Sequence, residues 1–271
     1  MSESSISGPP GAAAGRRPVR LAASLAGPRD APVVVLGNSM GTTREVWDPQ
    51  LLALGEGFRL LRYEHRGHGG SPAPPGPYAL GDLAADVLRL LDDFGVERAS
   101  YCGISLGGMI GMWLAAHAPA RIAALGLCCT SACLPPASGW LARAARVRAD
   151  GMAAITEQTL GRWFTPPFLR SSPPAAALAA AMLESTDPEG YAGCCEAIAA
   201  MDLRPVLASI TAPTLVIAAS EDPATPPAHG ALIAGKVPGA RLTVIRGASH
   251  LANLQAPGPV TAALLAHLTA I

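Results

Sequence analysis

Short apolar runs alternate along this chain with longer stretches of helical period. "PVVVLG" (32–37) is a short β-branched run, the mark of a fully buried strand, and "FRLLRYE" (58–64), "RASYCGI" (98–104), "RIAALGLCC" (121–129), "APTLVIAAS" (212–220) and "RLTVIRG" (241–247) read as further short strands. Between them the period changes. "LGDLAADVLRLLDDFG" (80–95) puts Leu83, Val87, Leu88, Leu90 and Leu91 largely on one helical face. "GGMIGMWLAAHAP" (107–119) and "GPVTAALLAHLTAI" (258–271) predict helices after the third and the last of these strands. Strands alternating with helices imply βαβ units, hence an α/β domain with a mostly parallel central sheet flanked by helices. The alternation fails between Cys133 and Arg204, where the pattern is helical only and is punctuated by Pro135, Pro136, Pro166, Pro167, Pro173 and Pro174. We read 133–204 as a helical cap inserted over the carboxyl edge of the sheet, and 21–132 with 205–271 as the core. Residues 1–20, rich in Ser, Gly, Pro and Ala, read as a flexible leader without the apolar stretch of a signal peptide.

Composition narrows the function classes. The length of 271 residues suits one large domain with an insertion, and half of the residues are hydrophobic, enough for a sizeable core. Lys+Arg 20 balance Asp+Glu 20, so no basic footprint points to nucleic acid and none to an anionic membrane surface. No apolar run reaches the roughly 20 residues of a membrane span. The six cysteines, Cys102, Cys128, Cys129, Cys133, Cys194 and Cys195, include two adjacent pairs and lack the spacing of a disulfide framework or a zinc site. They read as small packing residues of a reduced, cytoplasmic protein. No metal is expected.

The chemistry concentrates in "YCGISLGGM". Gly103-Ile104-Ser105-Leu106-Gly107 matches G-x-S-x-G between a strand and a helix, the context in which a sharp turn exposes a serine hydroxyl. Such a hydroxyl is a weak nucleophile until a base takes its proton. Of the six histidines, His117, His229 and His267 fall on helices, and His65 and His68 lie in the "HRGHGGS" loop. His250 follows the last strand on a short loop, where it can reach back over the sheet edge, and is the expected base. The order Ser…Asp…His then asks for an acid after an intermediate strand. "AASEDPATPP" offers Asp222, with Glu221 as the fallback. Thr225 before Pro226 reads as the cap of the following helix, leaving Asp222 on the loop. Two backbone N–H donors should complete an oxyanion hole: Leu106, after the nucleophile, and Met40 in "GNSMGTT", with Ser39 as its alternative.

Together these residues resemble the α/β-hydrolase fold from about Val34 onward. Within it, "NSMGTTREVWDPQ", "YEHRGHGGSPAPPGPY", "YCGISLGGMIGMWLAAHAPARIAALGLCCTSACL" and "EDPATPP…GASHLANLQAP" are similar to the 3-oxoadipate enol-lactonase family, as are the more specific cap segments "RVRADGMAAITEQTLGRWFTP" and "GYAGCCEAIAAMDLR". The resemblance implies a carboxylic ester hydrolase of bacterial aromatic catabolism, the β-ketoadipate route. It would need no cofactor, would act on a small lactone bearing a carboxylate, and leaves a homo-oligomer open. The carboxylate implies a cationic partner: Arg143 first, with Arg146, Arg148 and Arg162 in the cap and Arg44 in the oxyanion loop as other candidates, beside Ser39. For both tryptophans, Trp140 and Trp163, core packing is the first expectation, and of the two Trp140 is the one expected to reach the pocket wall. Where such relatives often carry aspartate before "RGHG", this chain has Glu64. A general carboxylesterase of the same fold and a non-catalytic ligand-binding relative are the competing expectations.

Overall fold

The computed structural model describes residues 17–270. Seven strands form one sheet: β1 Ala23–Ala26, β2 Val33–Gly37, β3 Arg59–Tyr63, β4 Ala99–Ile104, β5 Ile122–Cys128, β6 Thr214–Ala219 and β7 Arg241–Ile245, in the spatial order β1-β3-β2-β4-β5-β6-β7. Six of them are the apolar runs read from the sequence and pair in parallel; β1, which the pattern did not reveal, joins β3 antiparallel with Ala23 opposite Tyr63. Val34, Val35 and Leu36 of β2 and all of β6 are buried, as strands covered on both faces must be.

Helices α1 Asp48–Gly55, α2 Leu80–Asp93, α3 Leu106–His117, α9 Pro227–Lys236, α10 Ala252–Gln255 and α11 Pro257–Leu268 flank the sheet. On α2, Leu83, Val87, Leu90 and Leu91 are buried, while Leu88, expected on that face, is only half-buried. α3 carries no polar face because it has none to spare: Leu106, Met109, Ile110, Met112 and Leu114 are all fully covered. Between β5 and β6 only helices occur: α4 Ala137–Asp150, α5 Thr156–Trp163, α6 Pro166–Ser171, α7 Pro173–Glu184 and α8 Pro188–Ala200, with a 3-10 turn at Met152–Ile155. Most of the expected leader lies outside the described residues. Its last part is held: the Val19 N–H donates to Asp86 Oδ1 at 2.7 Å, and the Val19 side chain packs on the core.

All six cysteines are free, and only Cys133 is not buried. No described helix is long and apolar enough to cross a membrane. The topology places one crevice. From β2 the chain passes to β3 on one side and then to β4 on the other, so the strand order reverses at β2. In open α/β sheets the carboxyl ends at such a reversal are where ligands bind. Here they carry the loop from Asn38 to Thr42 and the joint at Ser105.

Candidate active site

Ser105 is the single residue between β4 and α3, and its backbone sits at φ 54, ψ −114. A side-chain-bearing residue at that φ costs on the order of 1–3 kcal/mol, so the surroundings must hold it. They do so with four hydrogen bonds. Ser105 N–H donates to Cys128 O at 3.0 Å, Gly107 N–H donates to Asn38 O at 3.0 Å, and Ser105 O accepts from Met109 N–H at 3.0 Å and from the Thr130 hydroxyl at 2.6 Å. The turn is so tight that only glycine fits around it. A Cβ on Gly103 would stand 2.3 Å from Gly107 C, one on Gly107 2.4 Å from Gly37 O, and one on Gly108 2.7 Å from the Thr130 side chain.

His250 lies beyond β7, on a loop tied to the insertion: Leu251 N–H donates to Trp163 O at 3.0 Å and the Ser249 hydroxyl to Arg162 O at 2.9 Å. Its Nδ1 is 2.8 Å from Asp222 Oδ2. A carboxylate only accepts, so Nδ1 carries the hydrogen and Nε2 is left as the basic atom. Asp222 is buried, and every lone-pair direction is occupied. Oδ1 accepts the N–H groups of Ala224 at 2.8 Å and Thr225 at 3.0 Å, while Oδ2 accepts the Thr225 hydroxyl at 2.7 Å as well as the imidazole. Burial pushes against ionisation, but the neighbouring His250 and the Thr225 donors outweigh it and hold the Asp222 carboxyl below its ordinary range. Glu221 faces elsewhere and is exposed, accepting from the Ser220 hydroxyl at 3.1 Å.

Ser105 and His250 open on one cavity of about 680 Å³ beneath the insertion. The hydrogen bonds of the His250 ring run through Nδ1 to Asp222 and Thr225, and none joins Nε2 to Ser105 Oγ; catalytic hydrogen bonds are often long in ligand-free enzymes. Ser39, Met40, Trp140, Trp163, Arg143, Arg146, Arg162 and Tyr191 contribute to the wall. The N–H groups of Met40 and Leu106 take no partner among the described residues. Ser39 O is bonded by both the N–H (3.2 Å) and the hydroxyl (2.9 Å) of Thr42, and the trans peptide therefore turns Met40 N–H to the opposite side.

Residues 32–257 match the alpha/beta hydrolase fold family. The chain belongs to that family. This hydrolase is 39% identical to 3-oxoadipate enol-lactonase 2 of Acinetobacter baylyi over 85% of its own length and 86% of the relative's. The solved enol-lactonase from Burkholderia xenovorans LB400 superposes with a TM-score of 0.90 at 41% identity, covering 92% of this chain and 96% of that one. A hydrolase from Pseudomonas aeruginosa PA01 gives 0.89 at 47% identity, with 92% and 94% covered.

Several sequence expectations about this hydrolase change in detail. Thr225 is not a helix cap: α9 begins at Pro227 with Pro226 before it, and the hydroxyl goes to Asp222 instead. The spacing Asp222-x-x-Thr225 closes an Asx-type turn, a signal present in the sequence but read for the wrong purpose. Trp163, expected mainly in the core, is buried and also forms cavity wall; Trp140, half-buried, donates through Nε1 to Leu134 O at 3.0 Å and also lines the cavity. Arg148 is turned away into ion pairs with Glu189 (2.7 Å) and Glu196 (2.6 Å), and Arg44 is held by Glu45 (3.4 Å) and Glu64 (3.8 Å). Neither belongs to the cavity lining. Arg143 stays, braced by the Tyr191 hydroxyl at 2.9 Å and the Thr159 hydroxyl at 2.5 Å. Neither brace was expected, because residues 48 and 16 positions away carry no local signature. Glu64 accepts the Arg44 N–H at 3.1 Å, which anchors the loop that carries Met40.

Proposed function

We propose that this hydrolase opens the enol-lactone of 3-oxoadipate to the free acid, through an acyl-enzyme on Ser105. The reaction lies in the β-ketoadipate route of aromatic breakdown, and the protein works in the cytoplasm. One observation carries the reading. Ser105 and an Asp222-bound His250 converge on a cavity whose described lining contains three arginines and no carboxylate. Names borne by relatives at 39–41% identity supply the substrate class.

The steps follow from the atoms. Ser105 Oγ attacks the lactone carbonyl as His250 Nε2 takes its proton, and Asp222 stabilises the imidazolium. Negative charge on the carbonyl oxygen falls between the N–H groups of Met40 and Leu106, each worth roughly 3 kcal/mol to the barrier. Collapse breaks the ring C–O bond, and the proton on His250 returns to the enol oxygen, which tautomerises to the ketone. His250 next deprotonates a water that attacks the acyl carbon, and Ser105 leaves with the proton. The substrate carboxylate meets Arg143, whose Cζ lies 5.5 Å from the centre of the Tyr191 ring, with Arg146 and Arg162 nearby and Ser39 and Trp140 against the lactone ring.

The test is a coupled assay in which muconolactone is isomerised to the enol-lactone in situ and loss of enol-lactone absorbance is followed. Wild type accelerates the loss, and Ser105→Ala lowers kcat by about 10⁴-fold or more. Equal decay with and without the protein overturns the substrate; an unchanged rate in Ser105→Ala overturns the nucleophile.

A further inference from the structure

His68 lies in the loop after β3, is not among the residues that line the cavity, and takes no part in the chemistry above. It is fully buried, and both of its ring nitrogens are engaged. Nδ1 is 2.8 Å from Arg66 O, and a carbonyl oxygen only accepts, so Nδ1 carries a hydrogen. Nε2 is 2.8 Å from the backbone N of Gly41, and an amide N–H only donates, so Nε2 is bare. The partners thus fix the imidazole twice over, as neutral and as the Nδ1–H tautomer. His65 stands edge-on to it, with ring centroids 5.7 Å apart, and its Nε2 donates to Asn38 O at 2.8 Å.

These bonds hold the oxyanion loop. Gly41 takes φ +81, and a Cβ there would stand 2.6 Å from the Leu183 side chain, so the loop makes a left-handed turn directly after Met40. Its N–H points back into protein, where water does not reach, and would be left unpaired without an acceptor. His68 is that acceptor. The peptide on one side of Met40 is oriented by Thr42 acting on Ser39 O, and the peptide on the other side by His68 acting on Gly41 N–H. Burial depresses the His68 pKa to about 4, which keeps the lone pair available at neutral pH.

We propose that His68 is a positioning residue of this hydrolase: as a neutral Nδ1–H imidazole it accepts the Gly41 N–H and so aims the Met40 N–H at the oxyanion. The proposal rests on the reading of Met40 and Ser105 given above. It assigns a chemical task to the second histidine of "HRGHGG", and the task can be separated from volume and from folding.

Two substitutions divide the functions of the ring. His68→Gln keeps an acceptor at the reach of Nε2, whereas His68→Asn keeps only a donor near Nδ1. With p-nitrophenyl acetate as the probe ester, His68→Asn is expected to lower kcat by about 10- to 100-fold with KM within about twofold, since small misplacements of catalytic groups cost rates of that order. His68→Gln is expected to stay within about fivefold of wild type. Nitrogen-15 NMR of histidine-labelled wild-type protein should show a protonated Nδ1 and an unprotonated Nε2 for one buried ring that is missing from the His68→Gln spectrum. Equal kcat losses in both variants, no loss in a folded His68→Asn, or a protonated Nε2 overturns the proposal. Ser105→Ala run beside them separates the two layers. If Ser105→Ala keeps the full rate, the reading of the site fails and the positioning role fails with it. If Ser105→Ala is inactive while both His68 variants match wild type, only the role of His68 fails.

Discussion

The residue that most sharply separates this chain's chemistry from its packing is Glu64. It is buried against the Gly69 backbone turn and accepts the Arg44 N–H, and burial lifts its pKa to about 7 against the opposing pull of Arg44 and Arg62. In the unfolded chain the group titrates near 4.5. Below that value both states hold the proton, and the full stabilisation is present. As pH rises from about 4.5 to about 7 the unfolded chain releases its proton first, and stability falls. His65 and His68, pushed down by burial to about 3 and about 4, act in the opposite sense over much of this window, because the unfolded chain binds protons there that the folded chain refuses. Glu64 is therefore read from the difference between wild type and Glu64→Gln. The variant should gain on wild type by about 2–3 kcal/mol between pH 4.5 and 7, measured by urea denaturation at both ends. Parallel stability curves would mean that Glu64 is already ionised across the window.

At the scale of elements, the sequence displayed the sheet and hid the joints. Six strands were legible as short runs rich in apolar residues, although β7, at the sheet edge, is largely exposed with only Ile245 buried. β1, "ASLA", is a short, half-exposed antiparallel edge with no run to detect. The helices of the insertion were legible as a group, and their prolines now have a meaning: α6, α7 and α8 each begin on one, where the missing N–H costs nothing. The elbow at Ser105 was legible because steric demand writes glycines into sequence. The supports of the Asn38–Thr42 loop were not, since His65, His68 and Glu64 act across 20 to 27 positions through isolated hydrogen-bond contacts. Neither was the root of the insertion. There Gly190 of α8 meets Gly67 backbone to backbone, and Asp187 N–H donates to Gly67 O at 2.8 Å. A Cβ on Gly190 would stand 2.4 Å from Gly67 Cα, too close to be absorbed by a rotamer. Gly190→Ala should therefore lift the start of α8, which carries Tyr191 and through it Arg143. We expect a loss of about 1–3 kcal/mol in stability, with a raised KM for the anionic lactone, while KM for a neutral ester moves less. Wild-type stability with unaltered KM would show that the two chain segments can part freely.

Taken whole, the molecule has no net charge, so it exerts little long-range pull on an anion, yet its cavity lining includes Arg143, Arg146 and Arg162 without a carboxylate among the described lining residues. On the function proposed above, recognition of a charged substrate is then local to these three residues, of which Arg146 and Arg162 are exposed and Arg143 half-buried. Exposed charges are screened over about 30 Å at 0.01 M salt and about 3 Å at 1 M. Between those limits KM for the enol-lactone should rise several-fold, whereas KM for p-nitrophenyl acetate, which has no charge to steer or hold, should change by less than about 1.5-fold, and kcat should be steady for both. Chloride and sulfate at matched ionic strength should give the same KM, because the effect is screening rather than competition by one ion. If KM for the neutral ester climbs in step with that for the lactone, salt is altering the protein and not the attraction. A flat lactone KM would mean that the arginines contribute shape and hydrogen bonds at close range with no electrostatic preference for an anion.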